Sequence, residues 1–418
     1  MLIIISKLAM NFVHAVVINF MKRFLFYFFC LSSLSSVAQT LKPDVFIVGN
    51  GNAAAAAAIQ SAQSNAKTVI LLQAGGFNIE PIDADLHSGV QAKFLQKLKE
   101  QMNLADTIAD PVFDKQSANL ALEYWANTLK ALTVIKNVQL IKADRSGKGW
   151  VFKLSDGRTV RPEVLVDIAD RKLNDALKID ASASTSWNKF SYDNTQYKTN
   201  VAVGKRLDGT TNHTYSFHQY FIPNQENLVY VSDPNSMLMG QAAGAIAAYA
   251  GFFDLRTSQT DLKKVQGELI AFNTNLMPFT DVGIKDSNWK AIQMIGVTGM
   301  LKATIVNGKL LFNPEQLVST EEIKQPMKDH YYKAQIWFDD YKNDSITIGA
   351  ALDLICYVGN KAPETLPKEV EKKWNTSYNF SSKFNKEQQI TRRELAVLLQ
   401  DYMPPFNVTI DKTGKILR

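Results

Sequence analysis

The reading of the fold is decided between Asp44 and Gln73, where the chain runs DVFIVGNGNAAAAAAIQSAQSNAKTVILLQ. Val45 to Val48 is an apolar run of strand length, Gly49-Asn50-Gly51-Asn52 is a turn, Ala53 to Ala62 is rich in the best helix former, and Val69 to Leu72 is a second apolar run. Strand, tight turn, helix and strand in this order predict a right-handed parallel crossover unit. Gly49 and Gly51 occupy the first two positions of G-x-G-x-x-G and Ala54 the third, the spacing that lets a backbone approach a diphosphate at a helix N-terminus. Asn50 and Asn52 lie between them and join the candidate cradle. Gln73 stands where the second strand of such a unit ends in Asp or Glu to accept from ribose hydroxyls; an amide can bond a hydroxyl, but without charge assistance. Glycines after a buried strand can also serve the turn alone, and both uses stay open.

With 418 residues, 46% hydrophobic and 21% charged, the chain can bury a sizeable core and is long enough for two or three domains. The formal charge of +6 becomes +3 once Lys7, Lys22 and Arg23 leave with the leading segment, so nothing in the balance argues for nucleic acid or an acidic surface as partner. In that segment Met21-Lys22-Arg23 is a charged start, Phe24 to Leu31 an apolar core and Ser36-Val37-Ala38 a small-x-small cleavage site. The pattern predicts an export signal over residues 1–38 and a periplasmic or secreted protein with no transmembrane segment after cleavage. Met1 to Phe20 is apolar too, which leaves a true start at Met21 and an uncleaved anchor as alternatives. After cleavage Cys356 is alone in an apolar run, so it forms no internal disulfide and reads as a buried structural thiol.

Farther on, apolar spacing predicts helices over 86–104 and 113–132, the second with Leu120, Leu122, Trp125 and Leu129 on its apolar side. Val134 to Ala143 reads as one strand. Trp150–Leu154 and Arg158–Arg161 flank Ser155-Asp156-Gly157 as a hairpin. An apolar strand then ends in Asp167-Ile168-Ala169-Asp170, followed by Arg171-Lys172, and Gly240-Gln241-Ala242-Ala243-Gly244 opens a small-residue helix after Leu228–Val231.

This order of pieces resembles the FAD-dependent oxidoreductases of the glutathione-reductase-like group, specifically the secreted bacterial family labelled xanthan lyase-like. The resemblance implies an α/β fold: a Rossmann-like FAD/NAD(P)-binding domain over 39–178 and 226–254, a reduced antiparallel cap over 179–225 and a mainly α-helical C-terminal domain over 255–418. It also implies FAD as cofactor and a small-molecule substrate, with Gly49, Asn50, Gly51, Asn52, Ala54, Gln73, Asp170, Gly240 and Gln241 as cofactor-binding candidates. Asp167 and Asp170 match the family's strand end, but Arg171-Lys172 stands in place of its glycine-containing turn.

In the cap, strands are expected at Tyr197–Arg206 and Thr214–Ile222, and His213 and His218 are the candidate acid–base residues. No spacing suggests a metal. The C-terminal part, from Asp281-Val282 through Trp289–Leu301 to Ser319–Glu322 and again around Ile390–Leu395, resembles surface-layer-homology repeats. That likeness leaves two readings open, contact with a cell-envelope polymer or packing on the core alone, while Thr391 and Glu394 are accounted for by a capping box without any ligand. Two functions follow as expectations: an exported flavin oxidoreductase, or a flavin-free relative acting as an envelope-associated binding protein.

Overall fold

Every residue of Val45–Val48 and of Thr68–Leu72 is buried, which requires an apolar layer on each side of the sheet they form. The computed structural model describes residues 39–82, 86–105, 107, 111–147, 149–180, 188–205 and 212–417. The expected export signal, Asp83 and Asp85, and the cap segments 181–187 and 206–211 lie outside the described residues.

In chain order, β1 (Thr40–Leu41) and β2 (Val45–Val48) lead into α1 (Asn52–Gln63), β3 (Thr68–Leu72), α2 (Gly89–Gln101), α3 (Lys115–Thr128) and β4 (Leu132–Lys136). Then come β5 (Leu140–Ser146), β6 (Gly149–Leu154), β7 (Thr159–Val160), β8 (Val164–Asp167), α4 (Arg171–Leu177), β9 (Asn188–Lys189), β10 (Asn200–Lys205), β11 (Asn212–Ser216), β12 (Leu228–Tyr230) and α5 (Met237–Phe252). The remaining elements are α6 (Leu262–Ala271), α7 (Trp289–Thr298), β13 (Thr304–Val306), β14 (Lys309–Leu311), α8 (Thr320–His330), α9 (Ala334–Asp340), α10 (Ile348–Gly359), α11 (Leu366–Lys373) and α12 (Arg392–Tyr402).

The central sheet is parallel, in the order β12-β8-β2-β3-β4, with Val48 opposite Asp167 and Leu71 opposite Ile135. Side chains alternate across it. Val45, Ile47, Ile70, Val164 and Val166 meet the helices, whereas Phe46, Val48, Val69, Leu71 and Leu165 meet Trp150, Phe152, Leu154 and Val160 of the antiparallel layer. That layer, β1-β7-β6-β5, antiparallel except for the parallel β1–β7 pair, and the small antiparallel sheet β10-β11-β9 complete the α/β, Rossmann-like architecture, with a mainly helical C-terminal part.

Close packing of α1 on α5 explains the alanines and glycines of both. A Cβ on Gly240 would lie 2.1 Å from the Ala53 carbonyl oxygen, and one on Gly244 would lie 2.5 Å from that of Ala57. Four-residue spacing on each helix puts the two contacts one turn apart. The buried Gln241 bridges outward, accepting from Val90 N–H at 2.9 Å and donating to Gln60 Oε1 at 2.7 Å.

The segment read as one strand over 134–143 is two, in different sheets, because Asn137 adopts a left-handed φ of 57° and turns the chain. Leu120, expected on an apolar face, is 52% exposed. In the cap, the first strand starts at Asn200 after a 3-10 turn over Gln196–Thr199. The second stops at Ser216, whose side chain and that of Gln219 cap the 3-10 turn Phe217–Tyr220 and end the extended run. In the helical part, Ser319, Thr347 and Thr391 cap α8, α10 and α12 through their side chains. Bridges Ser319–Ser345, Thr347–Gln389 and Leu317–Thr391 tie the three helix starts together. Buried Arg392 donates to the carbonyls of Phe312 at 2.7 Å and Lys302 at 2.8 Å and pairs with Glu322. Among the described residues, no helix is long and apolar enough to cross a membrane.

Candidate functional site

In a parallel sheet the ligand crevice lies outside the carboxyl ends of the strands, where the order reverses; here that point is between β2 and β8. Gly49 to Ala54 leaves β2 there, Gln73 follows β3, and Asp167 to Asp170 leaves β8. The two glycine segments converge as well, since Gly240 packs directly on Ala53.

What fills the crevice is the chain's own backbone. Gly51 N–H donates to the Phe77 carbonyl at 2.7 Å, and Ala53 N–H, in the first turn of α1, donates to the Pro234 carbonyl at 2.9 Å. Gly51 has φ 94°, and a Cβ on it would stand 2.9 Å from the Pro234 oxygen; a Cβ on Gly49 would stand 2.7 Å from Ile168 Cβ. Both glycines are therefore required by contacts within the protein.

Asn52, fully buried, holds the two closing loops in place. Its side-chain amide donates to the carbonyls of Glu80 at 3.2 Å and Asn235 at 2.9 Å, and its oxygen accepts from Glu80 N–H at 3.0 Å. At the expected ribose position, Gln73 is also engaged: its side chain donates to Asp170 Oδ2 at 3.3 Å and accepts from Leu140 N–H at 3.1 Å. Asp170 in turn caps α4 by accepting from Leu173 N–H at 3.0 Å, and Arg171 and Lys172 are exposed in the first turn of that helix. Gly240 and Gln241 are committed to helix packing, and Ala54 is buried in the α1 core.

A bound FAD would set its diphosphate against the amides at the start of α1, and the residues as arranged do not fit it. Two amides already have carbonyl partners, at about 1 kcal/mol each, and the three Asn52 bonds add roughly 3 kcal/mol that entry would have to break. Asn50 Oδ1 and Asp167 Oδ2 are buried without a partner; Asn50 Oδ1 is an acceptor, as the diphosphate oxygens are, which leaves the Asp167 carboxyl, when protonated, as the one orphaned group of the two able to donate there. Burial pushes the Asp167 carboxyl up to about 8, opposed by the Asp170 N–H and reinforced by the Asp170 charge. Fully buried Asp167 therefore favours its neutral form at the strand end beneath the crevice.

The two candidate histidines are placed differently. His213 lies on β11, opposite Gly204 and Lys189. His218 lines a separate cavity with Lys263, Phe406 and Asp411, away from the Gly49 turn, and burial with the neighbouring Lys412 charge pushes it down to about 4. The loops that close the crevice, at Phe77–Glu80 and Pro234–Asn235, escaped the sequence reading. Their only signal is a carboxamide at the first helical position, a group able to bond a backbone N–H and a backbone carbonyl at once.

No family model matches this sequence, and no curated protein does. Among solved structures the chain is similar to GidA of Aquifex aeolicus, at 13% identity and TM-score 0.22, covering 32% of this chain and 25% of that one. It is also similar to the OxyS anhydrotetracycline hydroxylase of Streptomyces rimosus (10% identity, TM-score 0.31, 55% of this chain and 65% of that one). A third is the p-nitrophenol 4-monooxygenase PnpA of Pseudomonas putida DLL-E4 (10%, 0.31, 56% and 84%). The chain thus spans a quarter of the first of these proteins and under two thirds of the second.

Proposed function

We propose that this chain is a binding protein built on the scaffold of the FAD-linked oxidoreductases, its dinucleotide crevice closed by its own backbone, and that it works at the cell envelope. The observation that carries this reading is the pair of bonds from Gly51 and Ala53 N–H to the Phe77 and Pro234 carbonyls, locked by Asn52. Export is supported by the charged start, apolar core and cleavage pattern between Met21 and Ala38. Envelope contact rests on the likeness of the C-terminal part to surface-layer-homology repeats; its capped and bridged helix starts are contacts within the chain. N-terminal sequencing of protein recovered outside the cytoplasm, expected to begin near Gln39, tests the export step.

The test of the closed crevice is optical. Purified protein mixed with FAD and passed through gel filtration is expected to emerge colourless. Stoichiometric flavin absorbance in the protein peak overturns the reading.

The oxidoreductase reading has the sheet on its side: a parallel order with a Gly-x-Gly turn at the switch point and Gly240 within reach of it. It requires the loops at Phe77–Glu80 and Pro234–Asn235 to withdraw. If flavin is retained, Gly51→Asp should abolish retention by setting a carboxylate against the diphosphate.

A further inference from the structure

Away from the crevice, Phe217, His218, Leu262, Lys263, Phe406 and Ile410 are among the residues around a cavity of about 910 Å³, between the turn after β11, the start of α6 and the C-terminal segment. Three lysines line it, Lys263, Lys264 and Lys412, against two aspartates. Both aspartates already accept backbone N–H groups, while their charges still act on Lys263 and His218. Asp261 accepts from the backbone N–H groups of Lys263 at 2.8 Å and Lys264 at 3.2 Å, and Asp411 from those of Thr413 at 2.8 Å and Lys415 at 3.0 Å.

Lys263 Nζ has no carboxylate partner among the described residues and lies 4.8 Å from the centre of the Phe406 ring. Lys198 faces it from the neighbouring 3-10 turn, and His330 approaches from α8 beside Asp329. Burial, then the Lys198 charge, push the Lys263 ammonium down to about 7 against the pull of Asp261, while His218 and His330 are both pushed down to about 4. On two other lining residues, Thr260 Oγ1 and Gln400 Oε1 are buried without a hydrogen-bond partner. The cavity thus combines apolar and aromatic walls with three lysines against two aspartates, an ammonium without a salt bridge and a hydroxyl free to donate.

We propose that this cavity binds a small organic anion with an apolar body, of the aliphatic carboxylate class, whose charge sits against Lys263 and Thr260. An anion here relieves the repulsion between Lys263 and Lys198 and restores the proton that burial removes from Lys263. The proposal shares no residue with the Gly49 crevice and stands whether or not that crevice accepts flavin.

Calorimetric titration of the purified full chain with octanoate at pH 8, in two buffers of different ionisation enthalpy, tests it. Free Lys263 is about nine-tenths deprotonated at that pH, so binding should take up close to one proton per octanoate. In Lys263→Arg, which is always charged, octanoate should still bind with uptake near zero. In Lys263→Met, affinity should fall about tenfold. Uptake unchanged in Lys263→Arg, undiminished affinity in Lys263→Met, or octanol binding as tightly as octanoate would each overturn the proposal. The arginine variant and the octanol control hold even if the methionine variant fails to fold.

Discussion

Asp167→Asn should change the pH dependence of stability more than stability itself. In the folded chain burial holds the Asp167 carboxyl up at about 8 from an ordinary 3.8. Between those values the unfolded state gives up its proton and the folded state keeps it, so stability falls as pH rises through the window and levels off above about 8. The slope for one such group is about 1.4 kcal/mol per pH unit, which amounts to about 2.7 kcal/mol between pH 5 and pH 7. Asparagine cannot ionise and keeps the acceptor for the Asp170 N–H, a bond of 3.0 Å. The assay is urea unfolding of both proteins at several pH values from 5 to 8, with the difference between the two curves as the readout. Taking the difference cancels the other titrating groups, several of which act with opposite sign. The asparagine variant should gain on the wild type by about 2.7 kcal/mol between pH 5 and pH 7. Parallel curves would refute the reasoning, because they would mean that Asp167 is solvated and charged and that the crevice floor is wet.

Asn52→Ala removes three bonds to Glu80 and Asn235 from a fully buried side chain and should cost about 3 kcal/mol in the same urea assay; a loss under about 1 kcal/mol would deny Asn52 its clamping role. Gly240→Ala forces a methyl group to within 2.1 Å of the Ala53 carbonyl oxygen, so α1 and α5 must separate; a loss of about 1–3 kcal/mol is expected, and an unchanged midpoint would contradict the close packing. Half-buried His218 and His330, pushed down to about 4, should make stability fall as pH drops from about 6.5 towards 4, because the unfolded state then takes up protons that the folded state refuses. Replacing both with Gln should flatten that limb, and a persistent slope would assign it to other groups.

The sequence by itself determined the crossover unit, because strand, glycine turn, alanine helix and strand are local patterns set by propensity and period. It determined the small-residue helix at Gly240 for the same reason, along with the Thr391–Glu394 capping box, which forms within a single turn. Only the tertiary structure decided what those glycines serve. A glycine that admits a diphosphate and one that admits a carbonyl are the same residue at the same spacing, and the difference lies in Pro234, far along the chain, whose oxygen takes the Ala53 N–H. The anion cavity was equally out of reach, since Lys263, Lys198 and Phe406 lie on separate segments and the loss of charge on Lys263 arises from burial, which no local pattern encodes.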